Sequence, residues 1–141
     1  MIARMKEKVK GSLVKHEGYK THPYVDTVGK ITIGIGYNLT DRGISDDWIM
    51  SQFEKDIDYF YCQLSCYDWF NKLNEDRQTI LIDMSFMGMK KLLGFKKMIA
   101  AIENDDFEEA ERQMLDSNWA HQTGNRSIEL ANAMKTGIYT V

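Results

Sequence analysis

A single proline, Pro23, stands in a chain of 141 residues, so almost nothing forbids long helices. Cysteine is nearly as scarce. Cys62 and Cys66 fall four apart in a predicted helix, where a disulfide would be strained, so both are expected as free thiols. That state is compatible with synthesis in a reducing compartment. No apolar run approaches the ~20 residues that span a bilayer, and the opening MIARMKEKVKG lacks the apolar core of a secretory signal. Synthesis in the cytoplasm, with no transmembrane segment, is therefore expected. Positive charge is short as well. The 18 Lys and Arg against 21 Asp and Glu give a net charge of -3, without the cationic surplus on which nucleic-acid binding rests. His16, His22 and His121 are scattered and no Cys-x-x-Cys occurs, so neither a metal centre nor a cofactor is expected. Gly34-x-Gly36 lacks the strand and helix that flank a nucleotide loop.

Apolar residues, by contrast, are plentiful and periodic. Ile2, Met5, Val9, Leu13 and Val14 recur at helical spacing, predicting a helix over 2–16 with Glu17 in its last turn and Gly18 after it. Pro23 is expected in the loop that leaves this helix. After Asp26 the period changes: Val28, Ile31, Ile33, Ile35 and Tyr37 read as short strands about a Val28-Gly29-Lys30 turn, with Thr32, Gly34 and Gly36 on one face. Ser45 caps a long helix running to about Cys66. Asn74 opens an apolar helix with Ile80, Leu81, Met84 and Phe86, expected at the centre of a larger lobe. Helices over 95–103, 107–116 and 126–135 follow, with a break at 119–124. The class is α+β: one domain over 1–141, with a minor strand-bearing lobe at about 15–50. The long helix joins it to a helical lobe at about 60–141, against which helix 2–16 is expected to pack. A monomer is expected, because intramolecular helices account for the apolar positions.

Chemistry is concentrated near the first turn. Glu17 ends a helix and Asp26 begins the hairpin, so the nine-residue offset with a turn between can set two carboxylates across a small gap. Carboxyls ~6.5–9.5 Å apart leave room for a sugar linkage and a water, as inverting glycoside hydrolysis requires. Thr32, on the adjacent strand, has a hydroxyl suited to holding that water. Spacing alone leaves open the plainer reading of solvent-facing caps.

Three segments reach further. The run Glu17, Asp26, Thr27, Gly29, Thr32, Gly34, Gly36 resembles the catalytic signature of the phage T4-type lysozymes (endolysins), a family of glycoside hydrolases. Asn118-Trp119-Ala120-His121-Gln122-Thr123-Gly124-Asn125-Arg126 is similar to that family's W-x-x-Q-T-x-N-R segment, and Asp83-Met84-Ser85-Phe86 with Gly88 and Gly94-Phe95 to its buried-helix portion. The resemblance implies a lysozyme-like two-lobe fold and a muramidase that hydrolyses the β-1,4 bond between N-acetylmuramic acid and N-acetylglucosamine in peptidoglycan, with inversion. It implies Glu17 as general acid, Asp26 as partner carboxylate and Thr32 as the residue positioning water. Arg126 matches an arginine that pairs with the catalytic glutamate. A neighbouring cation favours an ionised carboxylate whereas a general acid must hold its proton, so Arg126 is read as orienting. Asp83 and Phe86 match the cleft-facing end of the buried helix, where Asp83 replaces an amide. Gln122 is a candidate for the loop before Arg126 or for substrate, and Tyr37 stands where the family often has a histidine.

By the same resemblance the partner is the glycan strand of peptidoglycan, reached in the periplasm after a separate holin opens the inner membrane. Two departures stand out. Residues 38–45 are short for the family, predicting a smaller minor lobe, and a net charge of -3 removes global attraction to an anionic wall. A non-catalytic wall-binding module, or a structural module of the virion, is the alternative on the same scaffold.

Overall fold

The computed structural model describes residues 2–141. Its chain clusters into two compact units, the first ending at Gln52 and the second spanning Phe53–Val141. In the first, helix α1 (Ala3–Glu17) stops at Gly18, whose φ of 81° takes it out of the helical region while its N–H still donates to the Val14 carbonyl. Strands β1 (Lys20–Val25), β2 (Ile31–Gly34) and β3 (Tyr37–Asn38) form one antiparallel sheet in that order. Pro23 lies within β1 and not in a loop. The strand tolerates it because β1 is an edge and its register is irregular between Lys20 and Tyr24, so no ladder N–H is lost there.

The β1–β2 turn falls where the sequence places it. Asp26 N–H donates to the Lys30 carbonyl at 2.8 Å and Gly29 N–H to the Asp26 carbonyl at 3.1 Å. Beyond β2 the alternation misleads: Gly34 and Gly36 have φ of 69° and 65°, so the chain is already turning back toward β3. The Asn38 side chain then caps a short helix, α2 (Leu39–Arg42), by accepting from Asp41 N–H at 3.0 Å. Asp41 also takes a 3.0 Å hydrogen bond from Lys30 Nζ, which holds its carboxyl below the ordinary carboxylate value.

Helix α3 (Asp46–Leu64) begins at Ser45, whose hydroxyl accepts from Trp48 N–H at 3.2 Å, and carries the chain from the first unit into the second. The second unit is helical throughout: α4 (Asp68–Asn71), α5 (Glu75–Ser85), α6 (Met89–Leu93), α7 (Lys96–Glu103), α8 (Phe107–Leu115), α9 (Asn118–Thr123) and α10 (Asn125–Thr136). This is the expected α+β arrangement of a small sheet near the N-terminus and a helical remainder, linked by a long helix. Helix α9 occupies the predicted break, because the Ser117 hydroxyl accepts from Ala120 N–H at 3.1 Å and starts a new turn.

The hydrophobic core lies in the second unit. Phe70, Ile80, Leu81, Leu92 and four methionines (Met84, Met98, Met114, Met134) are fully enclosed, the unbranched thioethers filling irregular gaps between short helices. Ser85 and Ser127 are buried with them, their hydroxyls donating to the carbonyls of Leu81 and Gly124. Phe86 departs from the expectation of a core position: it follows the end of α5 and is 42% exposed. Cys62 and Cys66 are free and exposed. No helix among the described residues is long and apolar enough to cross a membrane.

Candidate active site

Glu17 is the last residue of α1, and the β2–β3 turn meets its side chain. A Cβ built on Gly36 would lie 3.0 Å from Glu17 Oε2, 3.1 Å from its Cγ and 3.2 Å from its Cβ. The turn backbone therefore forms a wall against the carboxylate, and only a residue without a side chain leaves the space.

Asp26 is held on one oxygen and left available on the other. Its Oδ1 accepts from Val28 N–H at 3.0 Å and Lys30 N–H at 2.8 Å, an arrangement that follows from the tight turn after β1. Oδ2 faces the Thr32 hydroxyl at 3.4 Å, and that hydroxyl is also 3.3 Å from the Lys30 carbonyl. Thr32 is only 4% exposed, the one buried polar residue among the described residues of the first unit. A half-buried carboxylate oxygen beside a fixed hydroxyl can accept a proton from a water while the hydroxyl holds it. Tyr37, the remaining candidate in this unit, is committed elsewhere. Its hydroxyl donates to the Gly43 carbonyl at 2.7 Å, its ring lies 5.1 Å from Trp48 and the Arg42 guanidinium sits 4.2 Å above it.

Gly34 and Gly36 separate two costs. Both have positive φ, so alanine at either loses about 1–2 kcal/mol of local backbone stability. At Gly34 a new Cβ meets nothing within 4 Å, whereas at Gly36 it meets the Glu17 carboxylate. Given the general-acid role that the resemblance implies for Glu17, the expected result is comparable destabilisation by Gly34→Ala and Gly36→Ala, with only Gly36→Ala lowering kcat, by about tenfold or more for a carboxylate displaced by about an ångström. Thermal unfolding and glycan turnover measured on both variants check this. Equal kcat in the two would mean that the Glu17 position does not depend on this wall.

The second unit gathers the other candidates. Arg126, near the start of α10, pairs through Nη2 with Asp83 Oδ1, while its Nε donates to the same oxygen at 3.2 Å. Phe86 stacks against Phe53 and Phe60 of α3, with ring centroids 5.6 and 4.9 Å away. Asp83, Phe86 and Arg126 line one cavity of about 480 Å³ together with Phe53, Thr79 and Ile82. Thr79 and Ile82 had not been singled out, yet the spacing 79, 82, 83, 86 is a single helical face and was readable as such. Gln122 lines a separate cavity beside Trp119 and Lys91. Trp119 is 6% exposed and sits edge-on to Phe95, which marks it as packing.

Comparison with known proteins bears on the same residues. The chain matches the family described as phage lysozyme over residues 14–134, a span that contains Glu17, Asp26, Thr32, Asp83 and Arg126. Two proteins of Dictyostelium discoideum, named Probable T4-type lysozyme 1 and Probable T4-type lysozyme 2, are each 29% identical over 164 aligned positions, covering 94% of this chain and 96% of theirs. The aligned length exceeds 141 residues, so these relatives carry residues with no counterpart here.

Proposed function

This chain belongs to the phage lysozyme family, and from that premise we propose that it is a muramidase acting on bacterial peptidoglycan by inversion. The observation that carries the reading is the grouping in the first unit: Glu17 beside the Gly36 turn, and Asp26 with one oxygen anchored and the other beside the Thr32 hydroxyl. Glu17, protonated, gives its proton to the glycosidic oxygen between N-acetylmuramic acid and N-acetylglucosamine as the C1–O bond breaks. A water held by Thr32 and Asp26 Oδ2 attacks C1 from the opposite face, and Asp26 takes its proton. The net change is one water consumed and one inverted reducing end formed.

Asp83, Phe86 and Arg126 supply an aromatic face with polar groups at its edge, the combination that a sugar ring meets well. Arg126 orients acidic partners and does not transfer protons, since a guanidinium stays charged. Tyr37 serves the scaffold of the first unit and Gln122 that of the second. The biological role proposed is host-cell lysis by a monomer made in the host cytoplasm, reaching the wall once a separate holin has permeabilised the membrane.

Digestion of purified peptidoglycan tests the chemistry. The expected products have muramic-acid reducing ends, with the α-anomer appearing first in NMR of the fresh digest. Anhydro-muramic ends would mean a lytic transglycosylase and would remove water and Asp26 from the mechanism. Sedimentation with the wall but no cleavage would mean a binding or virion structural module.

A further inference from the structure

The segment Lys90-Lys91-Leu92-Leu93-Gly94-Phe95-Lys96-Lys97 holds four lysines and no acid in a chain whose net charge is -3. The site described above uses none of them. All four are exposed, and among the described residues none makes an ion pair, whereas Lys10 and Lys30 are paired with Glu7 and Asp41. Unpaired cations placed close together repel one another, and an anionic ligand relieves that repulsion.

Their setting is concave. Helices α6 and α7 meet at Gly94 and Phe95, and a cavity opens on each side of that junction. One, of about 480 Å³, has Lys91, Trp119, Asn118 and Gln122 in its lining. The other, of about 340 Å³, has Lys96, Lys97, Gln113 and Asp116. Gly94, Phe95 and Ser117 line both, so the two adjoin as a trough divided at that junction. Phe95 and Trp119, edge to face at 6.3 Å, brace its floor. Three lysines stand against a single carboxylate, Asp116, and amide or hydroxyl groups of Gln113, Ser117, Asn118 and Gln122 lie between the charges.

We infer that this trough binds the phosphodiester backbone of a linear anionic polymer of the bacterial envelope, an inference that rests on the reading of the protein as a wall enzyme. Cations strung along a groove match a chain of single, spaced charges; a compact dianion would need donors converging on one point. The intervening amides and hydroxyls suit a polyol linker between phosphates. A membrane surface fits less well, because a flat array of headgroups cannot enter a concave lining. Docking here would supply locally the attraction that the overall charge withholds, holding the protein on the wall between cleavages.

The test titrates the full chain with poly(glycerol phosphate), alongside the K91Q/K96Q/K97Q variant, with circular dichroism confirming that these exposed substitutions leave the fold intact. Three phosphate contacts predict a slope of about -2 in log K against log salt, or about 20-fold weaker binding between ~50 and ~200 mM salt. The triple variant should lose that salt dependence and at least about tenfold in affinity. Both proteins should cleave polymer-free peptidoglycan equally. Unchanged affinity in the triple variant would overturn the proposal, as would equal or tighter binding of poly-γ-glutamate or of phosphatidylglycerol vesicles. Lysine-dependent polymer binding by a wild type that cleaves no peptidoglycan would leave this site standing and sink the muramidase reading instead.

Discussion

On the proposed mechanism, Glu17→Gln is expected to reduce peptidoglycan hydrolysis by about 10³-fold, the middle of the range that a positioned general acid supplies. The amide keeps the size and shape of the carboxyl, so it fits the same space against Gly36. What it lacks is the transferable proton, without which the departing sugar must leave as an alkoxide. Because the side chain is exposed at the end of α1, the unfolding free energy should stay within about 0.5 kcal/mol of wild type. Glu17→Asp sharpens the test. It keeps the proton but draws the carboxyl back by a methylene, roughly the ångström-scale displacement that costs about 100-fold. Reducing-end release with thermal unfolding on all three proteins reads both quantities. A Glu17→Gln protein with a tenth or more of wild-type turnover would mean that another group protonates the leaving oxygen.

Arg77→Ala should produce the largest loss of stability, about 3 kcal/mol. Arg77 projects from α5 and closes the C-terminal end of α10: Nε donates to the Met134 carbonyl at 2.7 Å and Nη2 to the Lys135 carbonyl at 2.8 Å. Its guanidinium also lies 3.5 Å above the Phe107 ring at the start of α8. The last carbonyls of a helix have no partner within it, and a cation at that end meets the negative pole of the helix dipole. Hydrogen bonds from a charged donor contribute about 1.5–3 kcal/mol each and a cation over an aromatic face about 0.5–2. Shared geometry makes the sum less than additive. Asn74 completes the closure by donating to the Gly137 carbonyl at 2.9 Å. Gly137 in turn has no room for a side chain, since a Cβ there would lie 3.0 Å from the guanidinium. Arg77→Lys keeps the charge but not the planar fork and should lose roughly half as much. Urea unfolding followed by circular dichroism gives the values. A loss under about 1 kcal/mol for Arg77→Ala would show that α10 is held by its apolar face alone.

Much of this protein is legible without coordinates, and the reasons are local. Ser45 and Asn74 announce helix starts because a short oxygen-bearing side chain can accept from an N–H three residues on, and both do so. Asp26 and Gly29 announce the β1–β2 turn for a similar reason: a carboxylate that can accept from the turn and a glycine that can take φ of 84°. Misreadings arose where a distant or neighbouring element changed the meaning of a residue. Pro23 looked like a loop until its strand proved to be an edge with irregular register. Trp119 to Gly124 looked like a break, yet the Ser117 hydroxyl made a helix of it. Arg77 carried no signal at all, because its partners lie 57 and 58 residues away.

The candidate site divides along the same line. The sequence by itself determined the types and order of the groups proposed to react: a glutamate closing a helix, an aspartate opening a turn, a threonine on the following strand. Those depend on interactions within a few residues, which composition and spacing encode. Tertiary structure alone decided that the Gly36 turn meets the Glu17 side chain, that Asp26 Oδ2 lies beside the Thr32 hydroxyl across the hairpin, and that Arg126 is engaged by Asp83. Such contacts join residues up to 43 apart. They exist only after chain entropy has been overcome by burial elsewhere, so no local pattern of residues records them.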